Sequence, residues 1–202
     1  MTSQDEFAVV GSRTVFTGSL ITVRADEVRL GGQIATRETV EHPGAVGVVA
    51  LDGDGRVVLV NQYRHPIRAR LDELPAGILD VSAESALEAA KRELVEEADL
   101  VAGQWDVLVD LYSSPGFSNE AIRIFLARDL RDAEGEGFTP EHEEVSLTVD
   151  REPLTEAVRR VLSGSITNAA AVAGLLAAVH GRATAWRDLR PADAPWPARP
   201  DR

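Results

Sequence analysis

Between residues 9 and 40, short apolar runs alternate with polar positions, and Gly18 and the Gly31-Gly32 pair interrupt them. Period-two alternation punctuated by glycine turns predicts a small antiparallel sheet of about three strands. The pattern then changes. "GAVGVVALD" (44–52) is almost wholly apolar and valine-rich, as a strand buried on both faces would be. After the turn "DGDG" (52–55), "RVVLVNQYR" predicts a second core strand pairing back on the first. The strongest helical pattern follows: Ser85 and Glu88 form a capping-box pair, and Leu87, Ala90, Leu94, Ala98 and Val101 recur at helical spacing. Such an apolar stripe packs against a sheet.

Further on, "WDVLVDLYS" and "AIRIFLARDL" predict two strands joined by the loop "SPGFSNE" (114–120). From Arg131 to Glu144 the chain is acidic, contains glycine and lacks an apolar period, which predicts a loop. "PLTEAVRRVLSG" and "TNAAAVAGLLAAVHG" predict two closing helices. The tail "RPADAPWPARPDR" holds four of the ten prolines and is expected to be irregular or disordered. No repeat or linker divides the chain. The expected organisation is an N-terminal β region over 1–43, an α/β domain over 44–182 and a proline-rich tail over 183–202.

Composition narrows the chemistry. The 202 residues are 44% hydrophobic and 27% charged, the balance of a globular protein. There is no cysteine, so disulfides, thiolate metal sites and cysteine nucleophiles are excluded, and any metal must take oxygen or imidazole ligands. The net charge of −12 argues against affinity for a polyphosphate backbone, and no apolar run is long enough to span a bilayer. Neither nucleic acid nor membrane is therefore an expected partner. The start "MTSQDEF" lacks the basic and apolar regions of a secretory signal, so a cytoplasmic location is expected.

Within the helix, "KRELVEEADL" places Glu93, Glu96 and Glu97 in one sector roughly 100° wide, beside the apolar stripe. Like charges at these spacings repel by a few tenths of a kcal/mol per pair, and the C-terminal end of the helix dipole disfavours them further. One reading is a solvated acidic face. The other is a site for a divalent cation, since Mg²⁺ and Mn²⁺ take carboxylate and carbonyl oxygens. Just upstream, the sequence predicts a Pro-Ala-Gly turn in which Gly77 permits close approach of a ligand or a positive φ, and the Ala76 carbonyl is a neutral candidate ligand. The four histidines show no metal spacing and are expected to be structural or solvent-facing.

"GILDVSAESALEAAKRELVEEADL" (77–100) resembles the signature box of the Nudix hydrolases: a glycine, a glutamate, seven residues, then Arg-Glu-apolar-any-Glu-Glu-any-Gly-apolar. Glu84, Arg92, Glu93, Leu94, Glu96, Glu97 and Leu100 match. Two departures stand out: six residues rather than five separate Gly77 from Glu84, and Asp99 stands where the box has glycine. Asp tolerates the left-handed conformation common at helix ends better than most residues. "TRETVEHPGAVGVVAL", "QYRHPIRARLDELPAG" and "SSPGFSNE" extend the resemblance to the ADP-ribose pyrophosphatase branch, in which a proline follows the box by about fifteen residues, as Pro115 does here.

The resemblance implies an α/β/α sandwich around a mixed sheet, preceded by a small antiparallel N-terminal sheet, and a homodimer sharing its N-terminal strands. It implies Mg²⁺ (or Mn²⁺) on the Ala76 carbonyl, Glu93, Glu97 and Glu96. Arg92 orients a box glutamate and Glu84 braces the loop. The catalytic base is placed at Glu144, with Glu143 second, and substrate contacts at Arg64, Arg37, Pro115 and Glu120, the last for a ribose hydroxyl. The implied reaction is cleavage of ADP-ribose to AMP and ribose 5-phosphate. Another nucleoside diphosphate sugar, dinucleotide or flavin nucleotide is the alternative substrate, and an inactive ADP-ribose sensor is the alternative class.

Overall fold

A computed structural model describes residues 7–133 and 147–200. The alternating N-terminal segment forms an antiparallel ribbon of β1 (Val9–Thr17), β2 (Thr22–Leu30) and β3 (Gln33–Glu41). Gly31 and Gly32, at φ 54° and 91°, make its second turn, a backbone region that L side chains rarely adopt. There follow β4 (Ala45–Ala50), β5 (Arg56–Arg64), β6 (Ala69–Glu73), β7 (Ala76–Ile78), helix α1 (Ala86–Ala98), β8 (Leu100–Tyr112) and β9 (Ala121–Asp132). β10 (Thr148–Pro153), helices α2 (Leu154–Leu162) and α3 (Ala169–Ala183), and a short β11 (Arg190–Pro191) complete the described chain.

Two-sided burial explains the architecture. Val46, Val48 and Ala50 of β4 pack with Phe125 of β9 and with Ala90 and Leu94 of α1. Val49, between them in sequence, packs with Ile124 and Leu126 against Leu154 of α2 and Leu175 of α3. Full burial of such a side chain contributes roughly 1.5–3 kcal/mol, so a strand apolar on both faces is most stable between two helical layers. The resulting mixed sheet has the order β11-β8-β9-β4-β7, with β4 and β9 parallel, and a second, antiparallel sheet has the order β10-β5-β6. This is the expected α/β/α sandwich with its N-terminal ribbon.

Several local expectations need correction. β5 does not pair back on β4: both edges of β4 are taken by β9 and β7, and only an isolated bridge, Leu51 to Val57, links the two. The segment expected as a Pro-Ala-Gly turn continues into strand β7, in which Gly77 pairs with Val46. The strand expected to begin at Trp105 starts at Leu100, and its partner runs to Asp132 rather than giving way to loop at Arg131.

The proline-rich tail is irregular but docked. Arg190 and Pro191 pair with Val107 and Asp106, and Arg123, only 2% exposed, donates to the carbonyls of Ala194 (2.6 Å) and Pro195 (3.0 Å) beneath the Trp196 ring. Proline cannot donate to a ladder, yet neighbouring carbonyls still accept, and the buried guanidinium supplies the donors.

Helix α1 begins at Ser85, whose hydroxyl accepts the Glu88 N–H at 3.1 Å. The Glu88 carboxylate turns to Lys91 (2.8 Å), so the side chains make half of the capping box. The helix stops before Val101, the last member of the apolar stripe, because Asp99 caps it in the left-handed region at φ 55°, ψ 39°. A non-glycine residue there carries strain, and its charge opposes the helix dipole. Asp99→Gly is expected to stabilise the fold by about 0.5–1 kcal/mol, read as a higher urea midpoint. An unchanged or lower midpoint would contradict this.

Candidate functional site

α1 buries Ala89, Ala90 and Leu94 against the sheet, and with them, unusually, two carboxylates: Glu93 is 8% exposed and Glu97 9%. The helix rotation that seats the apolar stripe also points these glutamates at β7. The Glu97 Oε2 accepts the Ala76 N–H at 2.8 Å. A Cβ on Gly77 would lie 1.9 Å from the Glu93 Oε1, so only glycine lets that carboxylate rest on the strand backbone. The φ of Gly77 is not positive. Its requirement is space, and what approaches is a side chain of the chain itself.

Arg92 organises the acidic sector. Its Nε and Nη2 each lie 3.1 Å from a Glu84 oxygen, while Nη1 reaches Glu93 at 2.6 Å and Glu96 at 3.1 Å. The hydrogen bond with Glu84 raises the guanidinium pKa most, burial opposes it, and the nearby charges of Glu93, Glu84 and Glu96 add to it. One guanidinium thus serves three carboxylates, Glu84, Glu93 and Glu96, and a fourth, Glu97, lies in the same sector of the helix. Burying like charges costs free energy unless further cations compensate, and hard oxygen donors of this kind suit a divalent ion. Among the described residues no three His, Asp or Glu are already gathered as a metal cluster.

Ala76, Gly77, Arg92, Glu93, Glu96 and Glu97 line a cleft of about 630 Å³ together with Arg64, Glu120 and residues of four other elements. Arg64 donates Nε and Nη2 to Glu73 at 3.0 and 2.7 Å, a bidentate pair whose carboxylate is 3% exposed. Glu120 accepts from the Ser113 hydroxyl, and its Oε1 lies 3.7 Å from the His42 Nδ1, which accepts the Gly44 N–H at 3.1 Å. Burial lowers the His42 pKa, with Glu120 opposing. The first turn of α3, Asn168 to Ala170, closes another side.

The cleft therefore gathers Ala76, Gly77, Arg92, Glu93, Glu96, Glu97, Arg64 and Glu120 of the residues singled out from the sequence. Glu84 stands behind them as the partner of Arg92. Arg37 does not line the cleft: it is exposed on the ribbon, donating to the Thr36 carbonyl at 2.9 Å. Pro115 is exposed in a turn closed by hydrogen bonds to the Ser114 carbonyl and also lies outside the lining. Glu143 and Glu144 fall outside the described residues. Polar lining residues that had not been singled out as functional include Glu73, His42 and Gln62. For Gln62 a signal existed, since it lies two residues before Arg64 and a strand puts i and i+2 on one face. Neither of the others carries a local signal.

Comparison with known proteins identifies the relatives of the chain. A family model, the NUDIX domain, matches residues 41–163. An ADP-ribose pyrophosphatase of Mycobacterium tuberculosis is 47% identical over 201 residues, 98% of this chain and 95% of its own length. An ADP-ribose pyrophosphatase of Bacillus subtilis is 36% identical over 62% of this chain and 68% of its own. The crystal structure of an ADP compounds hydrolase superposes with a TM-score of 0.76 over 92% of this chain and 100% of that one, at 24% identity, a likeness of fold. A domain match centred on the glutamate helix, with identity extending through the ribbon and tail, means that the chain belongs to the Nudix hydrolase family.

Proposed function

We propose that the chain hydrolyses the pyrophosphate of ADP-ribose to AMP and ribose 5-phosphate. The observation that carries this reading is the buried pair Glu93 and Glu97 facing Ala76 and Gly77 in a cleft shared with Arg64, in a chain 47% identical to an ADP-ribose pyrophosphatase. Nudix hydrolases generally use a divalent metal, and here Glu93, Glu97, Glu96 and the Ala76 carbonyl would hold Mg²⁺ or Mn²⁺. When bound, the ion would neutralise the glutamates and the substrate pyrophosphate and acidify the attacking water.

The chain's own groups then divide the work. Arg92 keeps Glu93 and Glu96 oriented, and Glu84 holds Arg92. Arg64 and Arg37 position the diphosphate and adenine, Arg37 from the partner subunit, with Pro115 shaping the entrance and Glu120 accepting a ribose hydroxyl. Glu144, with Glu143 second, takes a proton from water as its oxygen attacks phosphorus and the bridging P–O bond breaks. The strand entered after this segment begins at Thr148, which pairs with Asn61, three residues from Arg64. Glu144→Gln is expected to lower kcat about 10²-fold with KM little changed, and Glu143→Gln much less. Equal small effects would refute the placement.

Residues 1–43 form the dimerising region in this reading, 44–182 the catalytic domain and 183–202 the tail. Phe7, Val9, Val15, Phe16 and Ile34 of the ribbon region are exposed, an apolar surface suited to a second copy of the chain. Sedimentation at monomer mass would remove that assignment. No helix among the described residues is long and apolar enough to cross a membrane, and the proposed location is cytoplasmic. The central test is turnover of a panel of nucleoside diphosphate sugars and dinucleotides with Mg²⁺ or Mn²⁺. AMP release fastest from ADP-ribose is expected. Faster release from another member would reassign the substrate, and tight ADP-ribose binding without turnover of any member would make the protein a sensor.

A further inference from the structure

Gln62 is 7% exposed and lines the cleft, and no hydrogen bond engages its carboxamide among the described residues. Its polar atoms are not among the fully buried, unpartnered ones of the described residues, so the carboxamide keeps contact with the open cleft and is free to hydrogen-bond what enters it. The first turn of α3 lines the same cleft. There the Asn168 Oδ1 takes the Ala171 N–H at 2.9 Å and the Asn168 carbonyl takes the Val172 N–H, while helix geometry leaves the Ala169 and Ala170 N–H groups without an intrahelical acceptor. No acidic residue occupies that turn.

We propose that Gln62 and the first turn of α3 form an uncharged oxyanion subsite that holds a phosphoryl oxygen of the substrate, with Gln62 as a substrate-binding residue. The inference rests on reading the cleft as a pyrophosphate site. Charge identifies the ligand class. The α1 side of the cleft is acidic and repels anions, and the Arg64 charge is already shared with the buried Glu73. Gln62 lies on the Arg64 face of β5, so its amide donors extend that cationic edge without adding charge. A nucleobase edge or a sugar diol would suit the carboxamide alone, which carries an acceptor beside its donors, but not the backbone N–H groups at the start of α3. A helix N-terminus offers donors alone and favours negative charge, which suits a phosphate.

The test uses inorganic phosphate as the probe. The parent, Gln62→Met and Gln62→Glu, all of similar side-chain volume, are titrated with phosphate in chelator by ³¹P line broadening, then assayed with ADP-ribose and Mg²⁺. Both substitutions are expected to weaken phosphate binding and raise KM, about tenfold for Met and more for Glu, with kcat changed far less. Thermal melts identify any variant that fails to fold, and the other then carries the comparison. Phosphate binding and KM within twofold of the parent would overturn the subsite. So would a parent that binds no phosphate at tens of millimolar. Should the parent bind phosphate through Gln62 yet leave ADP-ribose intact, the subsite stands and the proposed substrate fails.

Discussion

Glu97→Gln is expected to lower kcat for ADP-ribose by about 10³-fold while making the metal-free protein slightly more stable. The two effects come from the same charge. Glu97 is 9% exposed, one helical turn from Glu93, in a last turn that contains no basic residue. Repulsion between like charges at i,i+4 and the adverse helix dipole together cost about 0.5–1 kcal/mol. Glutamine removes that cost and can keep the hydrogen bond from the Ala76 N–H through its own carbonyl. It also removes a charged ligand from the proposed ion, whose stabilisation of transition-state charge is several kcal/mol, and about 4 kcal/mol corresponds to the 10³-fold loss. Urea midpoints with chelator and with Mg²⁺ provide the check. The parent should gain stability from Mg²⁺ by linkage, and the variant should gain little. If Glu97→Gln loses activity and metal-free stability together, the carboxylate serves only to pin Ala76, and the metal role fails.

The same glutamates show which parts of the molecule were legible in the sequence. α1 and the Ser85 cap were readable because a helix is specified by residues three and four apart, and the left-handed cap at Asp99 followed from local chemistry. β4 was readable as a two-sided strand for a similar reason. Its partners were not, because β9 lies beside it only through the fold, with Ala45 opposite Ile122, and a valine run is compatible with either edge. The short strand β7 has no apolar period, and its role is set by Glu97 and Glu93, which reach it from about twenty residues away. In the site, the acidic sector was visible because like charges at helical spacing are locally unfavourable and call for an explanation. Glu73 looks ordinary in sequence, and Gln62 is marked only by its place two residues before Arg64. What singles them out is burial, a property of the assembled sheet rather than of any short segment.

Gly77→Ala is expected to inactivate the protein about as completely as Glu97→Gln, through one methyl group. The added Cβ would stand 1.9 Å from the Glu93 Oε1 and 2.0 Å from its carboxyl carbon, far inside van der Waals contact. The strand or the side chain must therefore move. β7 is only three residues long and lies at the edge of its sheet, but it is held by pairing to β4 and by the Glu97 bond to Ala76. Glu93 is held by Arg92 at 2.6 Å. Displacing the carboxylate or the strand separates Glu93 from the Ala76 carbonyl, and an ion can no longer bind both. The expected result is a loss of about 10³-fold in kcat/KM, about 4 kcal/mol, with a further 1–3 kcal/mol of overpacking seen in metal-free denaturation. Combining Gly77→Ala with Glu93→Ala separates the two contributions. Shortening residue 93 makes room for the methyl group, so the double variant should recover the stability lost by Gly77→Ala and be no less active than Glu93→Ala alone. If Gly77→Ala keeps more than a tenth of parental activity, Glu93 does not need to rest on β7, and the proposed ligand set loses the contact that joins its two halves.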